Sequence, residues 1–478
     1  MSEELGITTS KDEEMGEWYR EVITKSGLAD YTSVSGCVVF RPLSYSIWSK
    51  VRKEMDRRFE DIGVENAYFP LFIPEKLLEK EAEHFEGFNP EVAWVTRTGS
   101  SDLDEKLAVR PTSEAIMYDS YKDWIRSHRD LPLKLNQWNN VVRWEFKHPT
   151  PFLRSREFLW QEGHCAYATK EEALEDREKV LDAYQEISEE YMAVPCVRGR
   201  KTEKEKFDGA VATYSLEHLL PDGWSIQGPD YHYDGTNFAK AFDVTYTDEE
   251  GEEKYVHQST FGFSTRQLGT MVMIHSDDKG LVIPPRIAPT KVVIVPIYHS
   301  DEEREKIMEM AGEIQGRLKD CKLDDREHKT PGWKFNEWEV KGVPLRIEIG
   351  SNEVEEGKIT LVRRDTGDKK SAGMEELEEK VEKELEAMQE NLFNRAKDYM
   401  EENTRETKDY EKLKEIIKEE GGFVKAPWCG GQACEETLKD ETKAKITNIP
   451  FKYEDPEGEK CIKCGEEAEY WVHFARSH

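Results

Sequence analysis

The chain has 478 residues, 37% of them hydrophobic and 10% aromatic, which is enough for two or three domains with apolar cores. Its formal net charge of −31 excludes a protein that coats nucleic acid non-specifically, so any RNA contact must come from local basic patches. The same charge fits either simple solubility or adaptation to high salt. The first residues lack the segments of a secretion signal and no apolar run could span a membrane, so we expect a soluble, cytoplasmic protein.

Two helices and an extended segment are predicted near the N-terminus. Residues 12–26 form a short amphipathic pattern, and residues 44–62 form a longer one that ends at Gly63. Residues 67–74 are an extended apolar run, which Pro70 restricts to an edge or irregular position. The apolar stripe of the longer helix consists of Ile47, Val51, Met55, Phe59 and Ile62.

Residues 137–166 are predicted as two strands joined by a loop with several basic residues. Alternate side chains of a strand share one face. That face would hold Arg143, Glu145, Trp160, Glu162 and His164, and the loop carries Lys147, His148, Arg154 and Arg156. Because guanidinium pairs with phosphate in a bidentate manner, arginines beside a charged sheet face indicate a polyanion site. An exposed face with cross-strand ion pairs is the alternative.

Residues 110–114, Arg-Pro-Thr-Ser-Glu, place a hydroxyl and a carboxylate two positions apart. The side chains of Thr112 and Glu114 could together receive an amine. The alternative is the start of a helix with an acid in its first turn, since these residue types favour that position.

These motifs resemble those of class II aminoacyl-tRNA synthetases, and specifically those of prolyl-tRNA synthetases of the archaeal and eukaryotic type. The resemblance is carried by residues 110–114 and by Val-Val-Arg-Trp-Glu through Trp-Gln-Glu-Gly-His at 141–164. Helix 44–62 with the segment after it resembles the dimer-forming motif 1, the strand pair resembles motif 2, and residues 262–285 resemble motif 3. Residues 199–207 also match a stretch typical of this subgroup.

The resemblance implies roles for the matched residues. Arg143 and Arg266 would be catalytic, and Mg²⁺ would accompany ATP. Proline would be bound by Thr112, Glu114, Arg143, Trp160, Glu162, His164 and His232. ATP would be bound by Arg143, Glu145, Arg154, Ser155, Gln227, Ser264 and Arg266. Asp230 stands where many relatives have Thr, which leaves its own role open.

The implied fold is mixed α/β, with α+β parts, in three domains. Residues 1–285 would form a class II catalytic domain around an antiparallel sheet, and residues 286–400 an α/β anticodon-binding domain. Residues 401–478 would form a small α+β domain that binds zinc. In the second domain, strand alternation leaves Arg346 and Glu348 facing outward, where they could read anticodon bases. A surface ion pair between them is the alternative.

Four cysteines near the C-terminus form two knuckles, Cys429-x4-Cys434 and Cys461-x2-Cys464. Four thiolates without an open position indicate a structural, tetrahedral Zn²⁺ site, and four unrelated thiols are the alternative. The last residue, His478, stands where the family has a tyrosine, so the role of that tyrosine is in doubt for this chain.

The implied function is attachment of L-proline to tRNA(Pro) in two steps, formation of prolyl-adenylate and transfer to the tRNA 3′ end, by a homodimer joined through motif 1. Only about 90 residues separate motifs 2 and 3, so the large editing insertion of bacterial-type relatives is missing. Misactivation of alanine and cysteine is therefore expected. The alternatives are an inactive paralogue that binds RNA and an enzyme that adenylates an amino acid for another carrier. The retained Glu114, Arg143 and Arg266 disfavour the first, and the apparent anticodon domain disfavours the second.

Overall fold

An 11-stranded sheet joins the N-terminal and C-terminal parts of the chain, and a separate five-stranded sheet lies between them in sequence. The structure is a computed structural model that describes residues 6–82 and 91–478. Residues 1–5, part of the N-terminal segment considered for a secretion signal, lie outside the described residues. No helix in the described ranges is both long and apolar enough to cross a membrane.

The N-terminal part contains the two helices that the apolar spacing predicts. Helices α1 to α7 are Met15–Lys25, Pro42–Asp61, Glu75–Ala82, Glu114–Trp124, Lys170–Glu186, Asn237–Phe242 and Arg266–His275. Strands β1 to β14 are Ala29–Tyr31, Val38–Phe40, Glu65–Asn66, Phe72–Pro74, Trp94–Arg97, Asp102–Val109, Leu133–Val142, Glu157–Tyr167, Val197–Arg200, Ala212–Leu219, Ser225–Gly235, Thr245–Thr247, Glu253–Tyr255 and His257–Ser264. Short 3₁₀ and π turns are at His128–Asp130 and Ile187–Tyr191. Helix α2 starts with Pro42 and stops before Gly63, whose φ of +74° suits glycine.

The predicted antiparallel sheet of the catalytic part is confirmed. Its strands run in the order β9-β10-β11-β14-β8-β7, with each neighbouring pair antiparallel. One face packs against α1, α2, α5 and α7 in the larger apolar core. The other face packs against α4 and α6 in a smaller core. Successive side chains of β8 therefore point to opposite faces of the sheet. Cys165 belongs to the larger core, while Glu162 and His164 face the smaller one.

The middle part is a mixed five-stranded sheet in the order β16-β15-β17-β18-β19, with β15 parallel to β16 and β17. Its strands β15 to β19 are Val292–Pro296, Cys321–Leu323, Leu345–Ile349, Lys358–Arg363 and Lys369–Gly373. Its helices α8 to α11 are Asp301–Arg317, Pro331–Val340, Ser351–Glu356 and Leu377–Glu402, with a 3₁₀ turn at Met374–Glu376. Parallel strands normally occur where both faces are covered, and this sheet follows that rule.

The expectation that Arg346 and Glu348 face solvent is wrong. Leu345, Ile347 and Ile349 do enter the core, but the opposite face of β17 is covered by α9. Arg346 is 9% exposed and Glu348 is 7% exposed. In a strand buried on both faces, an ion pair on the second face gives the same alternation of apolar and charged residues as a strand with one exposed face. The sequence pattern therefore could not distinguish the two cases.

The middle part is fixed to the catalytic part by hydrogen bonds and an ion pair. Arg364 makes a bidentate pair with Asp277, at 2.8 and 2.6 Å. The backbone nitrogen of Leu281 donates to the carbonyl of Val340 at 3.0 Å. Helix α11 adds Met388 to an apolar cluster that includes residues of the catalytic part. Bidentate geometry restricts rotation as well as separation, so this contact orients the two parts.

The C-terminal part extends the catalytic sheet instead of standing apart from it. Strands β20 to β23 are Thr404–Glu406, Phe423–Trp428, Lys445–Pro450 and Tyr470–Ala475, and helices α12 and α13 are Tyr410–Glu419 and Gln432–Thr442. Strand β22 pairs with β9 at Ile449 opposite Arg200. Beside this junction the ammonium of Lys201 contacts Glu217 at 2.6 Å and the carbonyl of Thr447 at 2.7 Å, fully buried. The buried ammonium of Lys201 thus donates to the C-terminal part through the Thr447 carbonyl, while its charge is balanced by Glu217 within the catalytic part.

Candidate active site and metal centre

A cavity of about 390 Å³ opens on the smaller-core face of the catalytic sheet. Nine of the predicted site residues line it: Thr112, Glu114, Arg143, Glu145, Trp160, Glu162, His164, Gln227 and His232. They come from the start of α4, from β8 and β11, and from the loop after β7. Four other predicted residues, Arg154, Ser155, Ser264 and Arg266, lie outside that lining. Residues that the sequence places in separate motifs thus line one concave site.

The route by which Arg143 reaches the cavity differs from the prediction. Strand β7 ends at Val142, and Trp144 and Glu145 lie in an exposed turn, so the prediction that Arg143 and Glu145 alternate on this strand is wrong. One further ladder bond holds Arg143, whose backbone nitrogen donates to the carbonyl of Arg156 at 2.8 Å. The loop begins after Arg143, so the side chains that follow are not fixed by strand pairing and can fold over the cavity.

The Arg143 guanidinium is oriented by a carbonyl and by an aromatic ring. Its Nε donates to the carbonyl of Pro111 at 3.0 Å, and its central carbon lies 5.3 Å from the centre of the Trp160 ring. In the part of the chain that the structure describes, its two terminal nitrogens donate no hydrogen bond to protein. Two parallel N–H donors with no protein acceptor suit a bidentate anion.

Glu162 is the most heavily hydrogen-bonded group of the site. Its carboxylate accepts from Ser113 Oγ at 2.6 Å, Asn139 Nδ2 at 2.6 Å and Gln137 Nε2 at 2.9 Å, and it contacts His164 Nε2 at 3.0 Å. Burial raises the pKa of Glu162, but these hydrogen bonds, the one from His164 first, outweigh burial and bring that pKa below its usual range. Glu162 thus fixes its neighbours and has little capacity left for a ligand.

His164 and Glu114 bring an imidazole and a carboxylate to the lining of the cavity. Burial lowers the pKa of His164, but the hydrogen bond with Glu162 and the charge of Glu114 raise it above the ordinary value overall. Glu114 opens α4, where the helix dipole favours a negative charge. One of its oxygens accepts a short hydrogen bond from Thr112. Both Thr112 and Glu114 line the cavity.

Phe207 and His232 add two further rings to the lining of the cavity, beside that of Trp160. The ring of Phe207 lies 4.9 Å from the ring of His232, and His232 Nδ1 is 2.9 Å from Thr213 Oγ1. Burial lowers the pKa of His232, which favours the neutral ring. Neutral rings on two sides of a small space suit the methylene groups of an apolar or cyclic side chain.

Three arginines gather where the cavity meets the loop between β7 and β8. Arg266 donates to the carbonyls of Leu153 at 3.2 Å and Gln227 at 3.3 Å. Burial first, and then the charges of Arg143 and Arg154, lower the pKa of Arg266, while the charges of Asp230 and Glu217 raise it. Arg154 itself is exposed. Three guanidinium groups in one region suit a polyphosphate.

Ser264 and Ser155, which the resemblance predicts to bind ATP, lie outside the cavity lining, whereas Asp230, whose role the sequence leaves open, lies in it. Ser264 Oγ accepts from the backbone nitrogen of Arg266 at 3.3 Å, and Ser155 is buried. Asp230 accepts from Gln227 Nε2 at 2.8 Å and lies 3.5 Å from His232 Nε2. It therefore fixes an amide and an imidazole that both line the cavity.

Sequence reasoning gave no role to several residues that form the cavity or brace it: Pro111, Ser113, Gln137, Asn139, Phe207, Thr213 and Thr260. Ser113 was visible inside the motif at 110–114, and Phe207 closes the stretch 199–207. Gln137 and Asn139 precede the second motif and alternate on the same face as Glu162. The alternation of polar residues along β7 was the available signal for these two.

The four C-terminal cysteines form one cluster with the dimensions of a tetrahedral metal site. Their sulfur atoms all lie within 4.8 Å of one another, and Cys429 Sγ is 3.8 Å from Cys434 Sγ and 3.7 Å from Cys464 Sγ. Zn–S bonds of about 2.3 Å in a tetrahedron put the sulfur atoms about 3.8 Å apart. The residues therefore fit Zn²⁺, and a four-thiolate set without an open position fits a structural ion.

His478 lies against the catalytic sheet. Its Nε2 is 2.6 Å from a carboxylate oxygen of Asp222, its ring centre is 5.1 Å from that of Trp224, and its backbone nitrogen donates to Ser225. These contacts hold the end of the chain against the catalytic part.

Three segments match known families in the order of the three parts. Residues 94–275 match the tRNA synthetase class II core domain (G, H, P, S and T), residues 291–384 an anticodon binding domain, and residues 410–478 the prolyl-tRNA synthetase C-terminal domain. Fold and site thus define a class II aminoacyl-tRNA synthetase.

Full-length comparisons narrow the class to one family. The chain is 49% identical to a proline–tRNA ligase of Natranaerobius thermophilus, over 98% of each chain, and 47% identical to one of Haloarcula marismortui, over 100% of this chain and 99% of that one. A crystal structure of the prolyl-tRNA synthetase of Cryptosporidium parvum, complexed with halofuginone and AMPPNP, has a TM-score of 0.94 at 44% identity and covers 99% of this chain and 97% of that one. The chain belongs to the prolyl-tRNA synthetase family.

We predict one Zn²⁺ per chain, bound by Cys429, Cys434, Cys461 and Cys464, because their spacing fits the ion. Elemental analysis of the purified protein should find it. Cys461→Ser should lose the metal and lower the melting temperature, since the binding energy of a structural ion is folding energy. Cys321→Ser, at a cysteine outside the cluster, is the control and should retain the zinc. Protein without zinc, or Cys461→Ser with an unchanged melting temperature, would contradict the assignment.

Proposed function

We propose that the cavity binds proline and ATP, forms prolyl-adenylate and passes the prolyl group to the 3′ end of tRNA(Pro). One observation carries the proposal: a carboxylate, Glu114, and an anion-accepting guanidinium, Arg143, line a single cavity with neutral aromatic rings. An amino acid offers an ammonium and a carboxylate, and proline adds only a small apolar ring. Glu114 with Thr112 would receive the secondary ammonium, and the ring would lie between Trp160 and Phe207.

The first step requires alignment and charge neutralisation more than a base. The carboxylate of proline attacks the α-phosphorus of ATP, the phosphoanhydride bond breaks, and pyrophosphate leaves. The nucleophile is already an anion, so no proton has to be removed. Arg143, with free terminal N–H groups facing the cavity, would hold the carboxylate and the α-phosphate together.

The cluster of Arg143, Arg154 and Arg266 supports placing the ATP phosphates on the loop side of the cavity. Arg154 and Glu145 are exposed and can fold over a nucleotide. Arg266 is held by the Gln227 carbonyl through its side chain and by Ser264 Oγ through its backbone nitrogen. Mg²⁺ would enter with ATP as part of that substrate. In the second step a ribose hydroxyl of the tRNA attacks the prolyl carbonyl, and AMP and a proton are released.

The middle part supports a role in anticodon recognition. Arg346 donates to Glu348 at 2.9 and 3.0 Å and to Glu339 at 3.1 Å, and Lys369 donates to Glu348 at 2.8 Å. The side chains of Lys369 and Glu339 are 58% and 32% exposed, so the cluster reaches the surface at its rim. Donors and acceptors fixed in this way suit the edges of bases.

The segment between β8 and β14 supports the absence of a built-in editing domain. Residues 168–256 form α5, the π turn, β9 to β11, α6 and the β12–β13 hairpin. Its larger elements pack directly against the catalytic sheet, as α5 does through Val180 and Tyr184 and α6 does through Phe238. A hydrolytic domain for misacylated tRNA would need residues beyond these.

A homodimer through motif 1 is supported by exposed apolar residues beside α2. Tyr31, Val34, Val39 and Tyr45 are 54%, 46%, 48% and 55% exposed and lie on β1, β2, their connection and the first turn of α2. Contiguous exposed apolar side chains commonly mark a protein interface. Sedimentation of the purified protein tests this, because one chain has a mass of 55.6 kDa and a homodimer would have twice that mass.

Pyrophosphate exchange with each of the twenty amino acids tests the proposed function. Proline should give the fastest exchange. Alanine and cysteine should give slower but measurable exchange, lower by about 10- to 200-fold, because a missing methylene provides only modest discrimination. Exchange with another amino acid but not with proline would reject the proposal. Rapid deacylation of Ala-tRNA by the purified protein would reject the absence of editing.

Arg143→Ala should slow proline-dependent exchange by about 10²–10³-fold, the usual cost of losing one preorganised charge partner. Arg143→Lys should restore little, since an ammonium lacks the planar fork. Arg129→Ala, on the exposed 3₁₀ turn, is the matched control and should leave exchange unchanged. Near-normal exchange by Arg143→Ala would remove this residue from the mechanism.

Arg346→Ala should leave proline activation intact and lower kcat/KM for tRNA by about 5- to 150-fold, the value of one good base contact. The defect should shrink with a tRNA whose anticodon is altered, because the contact is then already lost. Arg317→Ala, at an ion-paired arginine on α8, controls for general loss of charge. Melting curves control for the loss of stability when the buried Glu348 carboxylate loses its Arg346 partner. If Arg346→Ala charges tRNA normally, the role of Arg346 in the unmodified protein is the structural ion pair alone.

A further inference from the structure

The segment between β9 and β10 forms one wall of the cavity. Residues 205–208 are part of the cavity lining, including the ring of Phe207. The backbone nitrogen of Phe207 donates to Thr213 Oγ1 at 2.9 Å, and Thr213 in turn contacts His232. This wall therefore touches the residues proposed to surround the proline ring.

The outer side of the same segment is held by α13 of the C-terminal part. Thr202 Oγ1 donates to Glu435 Oε1 at 2.8 Å, and each of the two residues is only 2% exposed. Glu205 is paired with Lys439 at 3.0 Å and with Lys445 at 3.1 Å. Thr202 Oγ1 also accepts from the backbone nitrogen of Glu205 at 3.2 Å, which closes the turn that leads to the wall.

The cysteine cluster determines where Glu435 points. Cys434, one of the four cluster cysteines, directly precedes Glu435, and both lie near the start of α13. Gly430, in the first knuckle, has a φ of +77°, so the chain turns sharply between Cys429 and α13. A metal bound to Cys434 and Cys429 would fix the first turn of this helix and with it the carboxylate that holds Thr202.

We propose that the C-terminal cysteine domain positions the proline pocket, with Glu435 and Thr202 as the contact through which it sets the affinity for proline. The inference rests on the proposed function of the cavity. Thr202 and Glu435 are positioning residues, because neither lines the cavity. The arginines proposed to hold ATP make no hydrogen bond to this segment among the residues that the structure describes. Loosening the wall should therefore weaken proline binding and leave ATP binding unchanged.

Steady-state pyrophosphate exchange with Thr202→Val separates the two substrates. The variant keeps the shape of the side chain but leaves a buried carboxylate without its donor, so KM for proline should rise roughly 10-fold. KM for ATP should be unchanged, and Thr202→Ser should restore proline binding. Lys439→Ala, which alters an exposed ion pair, should shift KM for proline in the same direction by less and does not threaten folding. Glu441→Gln, on the same helix but paired only with residues of the C-terminal part, should change nothing.

Zinc release gives a second readout that does not depend on turnover. If the cluster and the pocket are coupled, ligands in the pocket must stabilise the metal site by the same factor. Proline with ATP should therefore lower the fraction of zinc that a competing chelator takes from the unmodified holoenzyme at equilibrium, and this protection should be lost in Thr202→Val at equal zinc content. Unchanged KM for proline, equal rises in both KM values, or protection retained in Thr202→Val would overturn the inference. Failure of the unmodified protein to exchange with proline would instead reject the proposed function.

Discussion

A carboxylate buried away from water is tolerated only when its lone pairs are used, and Glu162 meets that condition with donors from three elements. Ser113 brings the start of α4, Gln137 and Asn139 bring β7, and His164 brings β8. Gln137 also accepts from the backbone of Phe69 at 2.9 Å. The network sets how far α4 stands from the sheet. That distance decides where Glu114, and Arg143 through its hydrogen bond to the Pro111 carbonyl, meet a ligand.

Much of this arrangement could be predicted from the sequence, because strand alternation fixes which side chains share a face. Trp160, Glu162 and His164 lie on one face of β8, as their spacing indicates. Alternation could not show that β7 stops at Val142, since strand ends depend on the partner strand. It also could not show that β17 is covered on both faces, because α9 approaches from a segment whose position only tertiary packing determines.

The boundary of the third domain shows a similar limit. The cysteine spacing predicts a metal-binding unit, and the sulfur positions agree with it. Whether such a unit is tethered or built into a neighbouring sheet depends on edge strands, and sequence patterns do not reveal their partners. Here β22 covers the edge of β9, and Lys201 is buried between Glu217 and Thr447. The pairing removes an exposed edge from each part, so the two parts stabilise one another.

A net charge of −31 opposes the approach of any polyanion, so recognition of RNA and ATP depends on a few concentrated cationic groups. Burial first, and then the charges of Arg143 and Arg154, lower the pKa of Arg266. The charges of Asp230 and Glu217 act in the opposite direction, so the protein balances part of this positive charge itself. Salt screens charges beyond about 8 Å at physiological ionic strength, whereas buried pairs are screened much less. Added salt should therefore weaken the repulsion from the acidic surface while it leaves the internal frame of the site largely unchanged, and this holds under either interpretation of the acidic composition.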